Sequence, residues 1–168
     1  MRILVTGANG FIGRQIVGAL ADRNHIVFAM SKGPFCLDSK HKGRVLPLQA
    51  DITDKNSLVA IENDIDAVFH LAGWVHKSED SDLDKQRFFD VNVTGTKNIL
   101  GALRNTPKHF VFFSTVSVYG IKDAVLNEES AVNPSSAYAS SKLEAEKIIR
   151  DWGQERNTKV TCLRLASV

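Results

Sequence analysis

Cysteine is scarce in this chain: Cys36 and Cys162 are the only two, too few and too scattered for a disulfide framework or a thiolate metal site. Charge of one sign is missing too. Twenty-one basic against 19 acidic residues leave a formal charge of +2, so no basic field points to a nucleic acid. No apolar run approaches the roughly 18 residues of a membrane span, and the opening MRILVTGANG has neither the apolar region nor the cleavage pattern of a secretory signal. A cytoplasmic protein is expected, without nucleic-acid or membrane partner and without a bound metal. No linker, repeat or low-complexity segment divides the 168 residues, and 43% hydrophobic against 24% charged residues suits one domain with a buried core.

Hydrophobic periodicity alternates regularly between strand and helix. Strands are predicted over 2–6, 26–30, 45–48, 67–71, 110–113 and 160–165. Helices are predicted over 11–23, about 53–62, after the charged segment 77–85 as far as about Arg104, and over 136–156. This alternation argues for βαβ units: an α/β, Rossmann-like, doubly wound parallel sheet in the order 3-2-1-4-5-6, covered by helices on both faces. Residues 163–168 still read as the exit of a strand, so the chain is expected to be the front part of a longer protein.

The segment Thr6-Gly7-Ala8-Asn9-Gly10-Phe11-Ile12-Gly13 follows the first strand and opens the first helix. Glycine permits positive φ and close backbone approach, and a helix start offers free N–H groups to a pyrophosphate. Gly7 can make the turn, Gly10 can admit the phosphates and Gly13 can bring helix and strand together, with Asn9, Phe11 and Ile12 completing the loop. The alternative is a merely tight strand-to-helix connection.

At the end of the second strand no acid is present to bind the ribose hydroxyls of NAD. Ser31 can hydrogen-bond there and Lys32 can pair with a 2′-phosphate, which tilts the choice between NAD and NADP slightly toward NADP; plain solvent exposure of Lys32 is the other reading. Asp51 can accept from an adenine amino group while Ile52 packs on the ring, or Asp51 can simply cap a helix. Leu71-Ala72-Gly73 is placed to pass beside the cofactor's ribose and phosphate.

Tyr138 and Lys142 lie one turn apart in the last helix, on the face continued by Ala145, Ile149 and Trp152. Lys142 beside Tyr138 would favour the phenolate, making Tyr138 an acid/base for a substrate hydroxyl, with Lys142 also binding ribose hydroxyls. The alternative is a core tyrosine and a lysine reaching out to water. Thr115, in the hydroxyl-rich turn after the fifth strand, is the preferred substrate hydrogen-bond donor over Ser114 and Ser117. Asn92 falls on the inward stripe of its helix with Phe88, Gly95, Ile99 and Leu103. There it can bind main-chain groups or a water near Lys142, or serve only local pairing.

Taken in order, TGANGFIG, Asp51-Ile52, His70-Leu71-Ala72-Gly73, Asn92, STVSVYG and YASSK resemble the NAD-dependent epimerase/dehydratase family of the extended short-chain dehydrogenase/reductase superfamily. That resemblance implies a seven-stranded NAD(P)-binding domain, here residues 1–168 without the seventh strand, followed by a smaller domain that grips a nucleotide sugar. It places the acid/base tyrosine on Tyr138, the cofactor-positioning lysine on Lys142 and the catalytic serine or threonine on Thr115. Arg164 matches a recurrent arginine, whereas Ser167 stands where asparagine is usual and Gly73 where the family has alanine. Val116-Ser117 replace the Asp-Glu pair of the sugar 4,6-dehydratases, which leaves 4-epimerase or 4-ketoreductase chemistry. A non-catalytic NAD(P)-binding regulator or scaffold stays open. The resemblance also implies a homodimer built from the helices over 88–104 and 136–156, and little turnover by residues 1–168 alone.

Overall fold

A computed structural model describes the chain apart from residues 37–38, 62–63, 76–78, 80, 122–124 and 167–168. Six strands, β1 (Arg2–Thr6), β2 (Ile26–Ser31), β3 (Val45–Gln49), β4 (Ala67–His70), β5 (His109–Thr115) and β6 (Lys159–Leu165), form one sheet. Their order is β3-β2-β1-β4-β5-β6, and every neighbouring pair is parallel. Thr6 is level with both Met30 and His70, so the strand ends at Thr6, Ser31, His70 and Thr115 gather along one edge.

Side chains alternate across a strand, and two apolar clusters result. Ile3, Val5, Val27 and Ala29 face α1 (Phe11–Asp22) through its Val17 and Ala21. Leu4, Phe28, Phe110 and Phe112 face the other way, against α3 (Gly95–Ala102) and α4 (Ala137–Arg156) through Ile99, Ala145 and Ile149. Burial on both faces explains why the strands read as continuous apolar runs, each fully buried Leu or Phe contributing about 1.5–3 kcal/mol.

Two predicted helices differ from expectation. Lys55–Ala60 forms a 3-10 helix rather than an α-helix, started by the Asp54 carboxylate accepting from Asn56 N–H; the segment is too short to gain from α-helical propagation. The helix expected to run to Arg104 is three pieces: α2 (Asp82–Phe89), a π turn over Asp90–Thr94, and α3. Glu62, Lys77 and Ser167 lie outside the described residues. Among the described residues no helix is long and apolar enough to cross a membrane, and no group of three or more His, Cys, Asp or Glu is placed to hold a metal.

Candidate active site

Along the gathered strand ends runs a cleft of about 810 Å³, bounded by the glycine loop, the ends of β2 and β3, Ala72 to Trp74, and residues of α2 and the π turn. Its floor depends on three glycines for different reasons. Gly7 sits at φ +68°, and a Cβ there would lie 2.7 Å from Ala72 N. A Cβ on Gly13 would come 2.3 Å from the Gly7 carbonyl oxygen. Packing within the protein therefore accounts for both. Gly10 is different: a Cβ would approach only the Gly7 oxygen, at 3.2 Å, so its open side faces the cleft. Gly10 is also the N-cap of α1 and supplies no side-chain acceptor, which leaves the first-turn N–H groups at Phe11 and Ile12 available to an anion. The loop thus presents free N–H donors beside an open backbone, as an anion site requires. The Phe11 ring itself is 78% exposed, and neither it nor the Ile12 side chain lines the cleft. Asn9 braces the loop, donating to Pro34 O at 2.9 Å and accepting from Arg14 Nη2 at 2.6 Å.

At the β2–β3 end, Lys32 and Asp51 form an ion pair at 2.7 Å. The lysine's hydrogen bond holds the Asp51 carboxyl below its usual range, against the opposing effect of burial and with help from Thr53. The residue read for a 2′-phosphate thus occupies the residue read for adenine. Ser31 donates its hydroxyl proton to Gly33 O at 2.7 Å, keeping only lone pairs for a ligand. Ile52 is buried and packs against Gly95, where a Cβ would meet its side chain at 2.6 Å. Leu71 donates its N–H to Thr6 O at 3.2 Å, so the backbone leading to Ala72 and Gly73 passes beside the glycine loop.

At the β5 end, Thr115 starts a 3-10 turn by accepting from Ser117 N–H at 3.2 Å, and its hydroxyl donates to Ser117 Oγ at 3.1 Å. Tyr138, in the first turn of α4, packs its ring 5.9 Å from that of Phe88. Lys142, one turn on, is only 3% exposed. Its Nζ lies 4.1 Å from the centre of the Phe112 ring and 3.8 Å from where a Cβ on Gly73 would be. Among the described residues it has no hydrogen-bond acceptor. Burial pushes the ammonium down to about 7, with Glu146 pulling the other way. Burial also raises the Tyr138 phenol, opposed by its hydrogen bond with Thr115. This differs from the expectation of a phenol lowered by Lys142, because in the protein itself desolvation outweighs the opposing contribution and the lysine is not among the groups that shift the phenol.

Residues 3–168 match the NAD dependent epimerase/dehydratase family. The chain belongs to that family. It is 39% identical over 121 residues to the 3 beta-hydroxysteroid dehydrogenase/Delta 5→4-isomerase of Mycobacterium tuberculosis, covering 70% of this chain and 32% of the relative. It is 31% identical over 174 residues to the dTDP-glucose 4,6-dehydratase of Mycolicibacterium smegmatis, covering 96% and 51%. The solved structure of UDP-glucuronic acid 4-epimerase from Bacillus cereus, in complex with UDP-glucuronic acid and NAD, superposes with a TM-score of 0.85 at 28% identity, covering 98% of this chain and 56% of that one. The chain thus spans from a third to a little over half of these proteins.

Three sets of polar contacts in this epimerase/dehydratase family member are not given by the motifs, although His70 and Arg164 stand among the residues that carry the resemblance. His70 is fully buried, 2.6 Å from Thr6 Oγ1 and 2.9 Å from Thr96 Oγ1. Since Thr96 donates its proton to Asn92 O, its oxygen accepts from His70 Nε2–H, and burial holds the ring neutral, with a pKa of about 3. Glu146, also fully buried, takes a two-pronged bond from Arg164 at 3.0 and 2.8 Å and another from Arg150 at 3.0 Å. Burial raises its carboxyl, but the Arg164 bond leads the groups that bring it below the ordinary range. Arg164 also donates to the Tyr119 hydroxyl at 2.8 Å, which gives the recurrent arginine a structural partner set. Glu79 accepts from the N–H groups of Ala137 and Tyr138, each at 3.0 Å. Asn92, by contrast, was found from periodicity: it accepts from Trp74 N–H at 2.7 Å and donates to Ser141 Oγ at 3.0 Å, so its amide is taken up by main chain and side chain alike.

Proposed function

We propose that residues 1–168 are the NAD(P)-binding domain of a cytoplasmic nucleotide-sugar 4-epimerase. The observation that carries this is the juxtaposition at the β5 end: a half-buried Tyr138 against Thr115, one turn from a buried Lys142 that lacks an acceptor, beside a dinucleotide-sized cleft. The likeness to a 4-epimerase bound to UDP-glucuronic acid and NAD supports the substrate class. Val116-Ser117, where the sugar dehydratases carry two acids, speaks against water elimination.

A bound nicotinamide would supply the hydride acceptor for the sugar C4. Tyr138 takes the proton of the sugar 4-hydroxyl and returns it after the keto-sugar has turned over. Thr115, its hydroxyl turned away from Ser117 Oγ, donates a hydrogen bond to the same oxygen, and Lys142 holds the ribose hydroxyls while its charge favours the phenolate once a ligand lies against both. Gly10 and the first-turn amides of α1 hold the pyrophosphate, in a loop that Gly7 and Gly13 allow to pack closely. The 39% identity to a hydroxysteroid dehydrogenase supports a second reading, the same proton chemistry on an apolar ring alcohol.

The deciding experiment gives the full-length protein a panel of UDP- and dTDP-sugars, their 4-keto forms and a 3-hydroxysteroid with NAD or NADP, following reduced nicotinamide and sugar products separately. Epimerised sugar without net reduced cofactor is expected, and Tyr138→Phe is expected to lower kcat by about 100-fold or more; full activity in that variant would remove the assignment. Steroid oxidation would select the second reading, consumption of a 4-keto sugar would select the reductase, and binding without turnover a regulator. Lys32→Ala is expected to weaken NADP more than NAD. Residues 1–168 alone are expected to bind cofactor with little turnover, and sedimentation of the full-length protein to reveal a homodimer.

A further inference from the structure

Both polar backbone groups of Tyr138 are tied to the connection between β4 and α2. Its N–H donates to Glu79 Oε1 at 3.0 Å. Its carbonyl accepts from Ser141 Oγ at 2.8 Å, Ser141 accepts from Asn92, and Asn92 grips the backbone of Trp74 through its N–H and C=O. Glu79 and Trp74 thus bracket the tyrosine from one strap. Glu79's second oxygen accepts from Ala137 N–H at 3.0 Å, while Ser136 Oγ accepts from Ala139 N–H at 3.0 Å. The first three amides of a 20-residue helix are therefore filled, two of them by a carboxylate, whose charge makes such bonds roughly twice as strong as neutral ones.

We infer that Glu79 is a positioning residue for the reaction assigned to Tyr138: through its bonds to the Ala137 and Tyr138 amides it anchors the first turn of α4, and so holds the phenol in register with Thr115. The inference rests on the acid/base reading of Tyr138. A displacement of about 1 Å at such a group is enough to cost on the order of 100-fold in rate, so losing the bracket is expected to lower kcat while leaving the substrate's KM and the dinucleotide's affinity nearly unchanged.

The test compares Glu79→Ala, Glu79→Gln and Tyr138→Phe in the full-length protein. Glu79→Ala is expected to reduce kcat about tenfold or more with KM within about twofold, and Glu79→Gln, which keeps one acceptor, to lie between it and wild type. Amide hydrogen exchange without cofactor supplies an independent reading: the N–H groups of Ala137 and Tyr138 are expected to exchange faster in Glu79→Ala, with α3 and β5 unchanged. Unaltered exchange at those two amides, or unaltered kcat where Tyr138→Phe is inactive, would overturn the positioning role. Equal activity in wild type and Tyr138→Phe would instead overturn the acid/base reading, and the exchange result would still decide whether Glu79 holds the helix. Global loss of protection in Glu79→Ala moves the decision to Glu79→Gln, where exchange and kcat are judged by the same criteria.

Discussion

The two helices that begin along the gathered strand ends start in opposite ways. α1 opens at Gly10 with no side-chain cap, whereas the first three amides of α4 are taken by Glu79 and Ser136. The difference separates two uses of one backbone feature. An uncapped start keeps donors free for an anion that comes and goes; a filled start gives up that ability and gains rigidity for the side chain it carries. The surroundings follow the same division. The glycine loop is shaped by steric room, while α4 buries Glu146 under the polar grip of Arg164 and Arg150 and buries Lys142 against the Phe112 ring.

The contrast can be broken from either side. The largest effect is expected at Gly13, whose Cβ would sit 2.3 Å from a backbone oxygen that no rotamer change can relieve: Gly13→Ala should lose about 3 kcal/mol in urea unfolding. Lys142→Met should gain about 2 kcal/mol near neutral pH by removing an ammonium whose charged form burial disfavours. Its sign follows from linkage. The folded pKa of about 7 lies below the unfolded value of about 10.4, so between them the unfolded chain binds more protons and wild-type stability climbs with pH. The advantage of Lys142→Met should accordingly shrink from pH 7 to 10, which unfolding curves at several pH values would check. Ser136→Ala, which frees one amide of α4, should lose about 1 kcal/mol. The smallest change in stability is expected for Gly10→Asp, within about 0.5 kcal/mol of wild type, because capping α1 is offset by a Cβ 3.2 Å from the Gly7 oxygen; calorimetry should nevertheless find dinucleotide binding abolished, since the new carboxylate would occupy the amides and repel the phosphates.

Much of this arrangement was legible in the sequence because it is periodic or local. Strand order followed from six apolar runs alternating with helices, and the glycine spacing announced the open start of α1. Tyr138 and Lys142 were found because four residues is one helical turn. What escaped pairs residues distant in sequence. Glu79 reaches an amide 59 residues away and Arg164 a carboxylate 18 residues away, and neither separation leaves a periodic trace. The Lys32–Asp51 pair is hidden for the same reason: each residue alone points toward a ligand, and nothing periodic sets the two side by side.

The π turn over Asp90–Thr94 carries a further consequence, for insertions and deletions. The inward residues Phe88, Asn92, Gly95, Ile99 and Leu103 advance by four, three, four and four, slightly more than about 3.6 residues per turn allows, and the widened turn absorbs the surplus. Removing one codon between positions 90 and 94 would leave a chain able to form an uninterrupted α-helix there, with better local geometry. The helix beyond the deletion would stay in phase, with Ile99 still toward the sheet, because the widened turn already holds the extra residue; only a second deletion would rotate it by about 100°. The segment can thus lose one residue and keep its inward stripe, but not two.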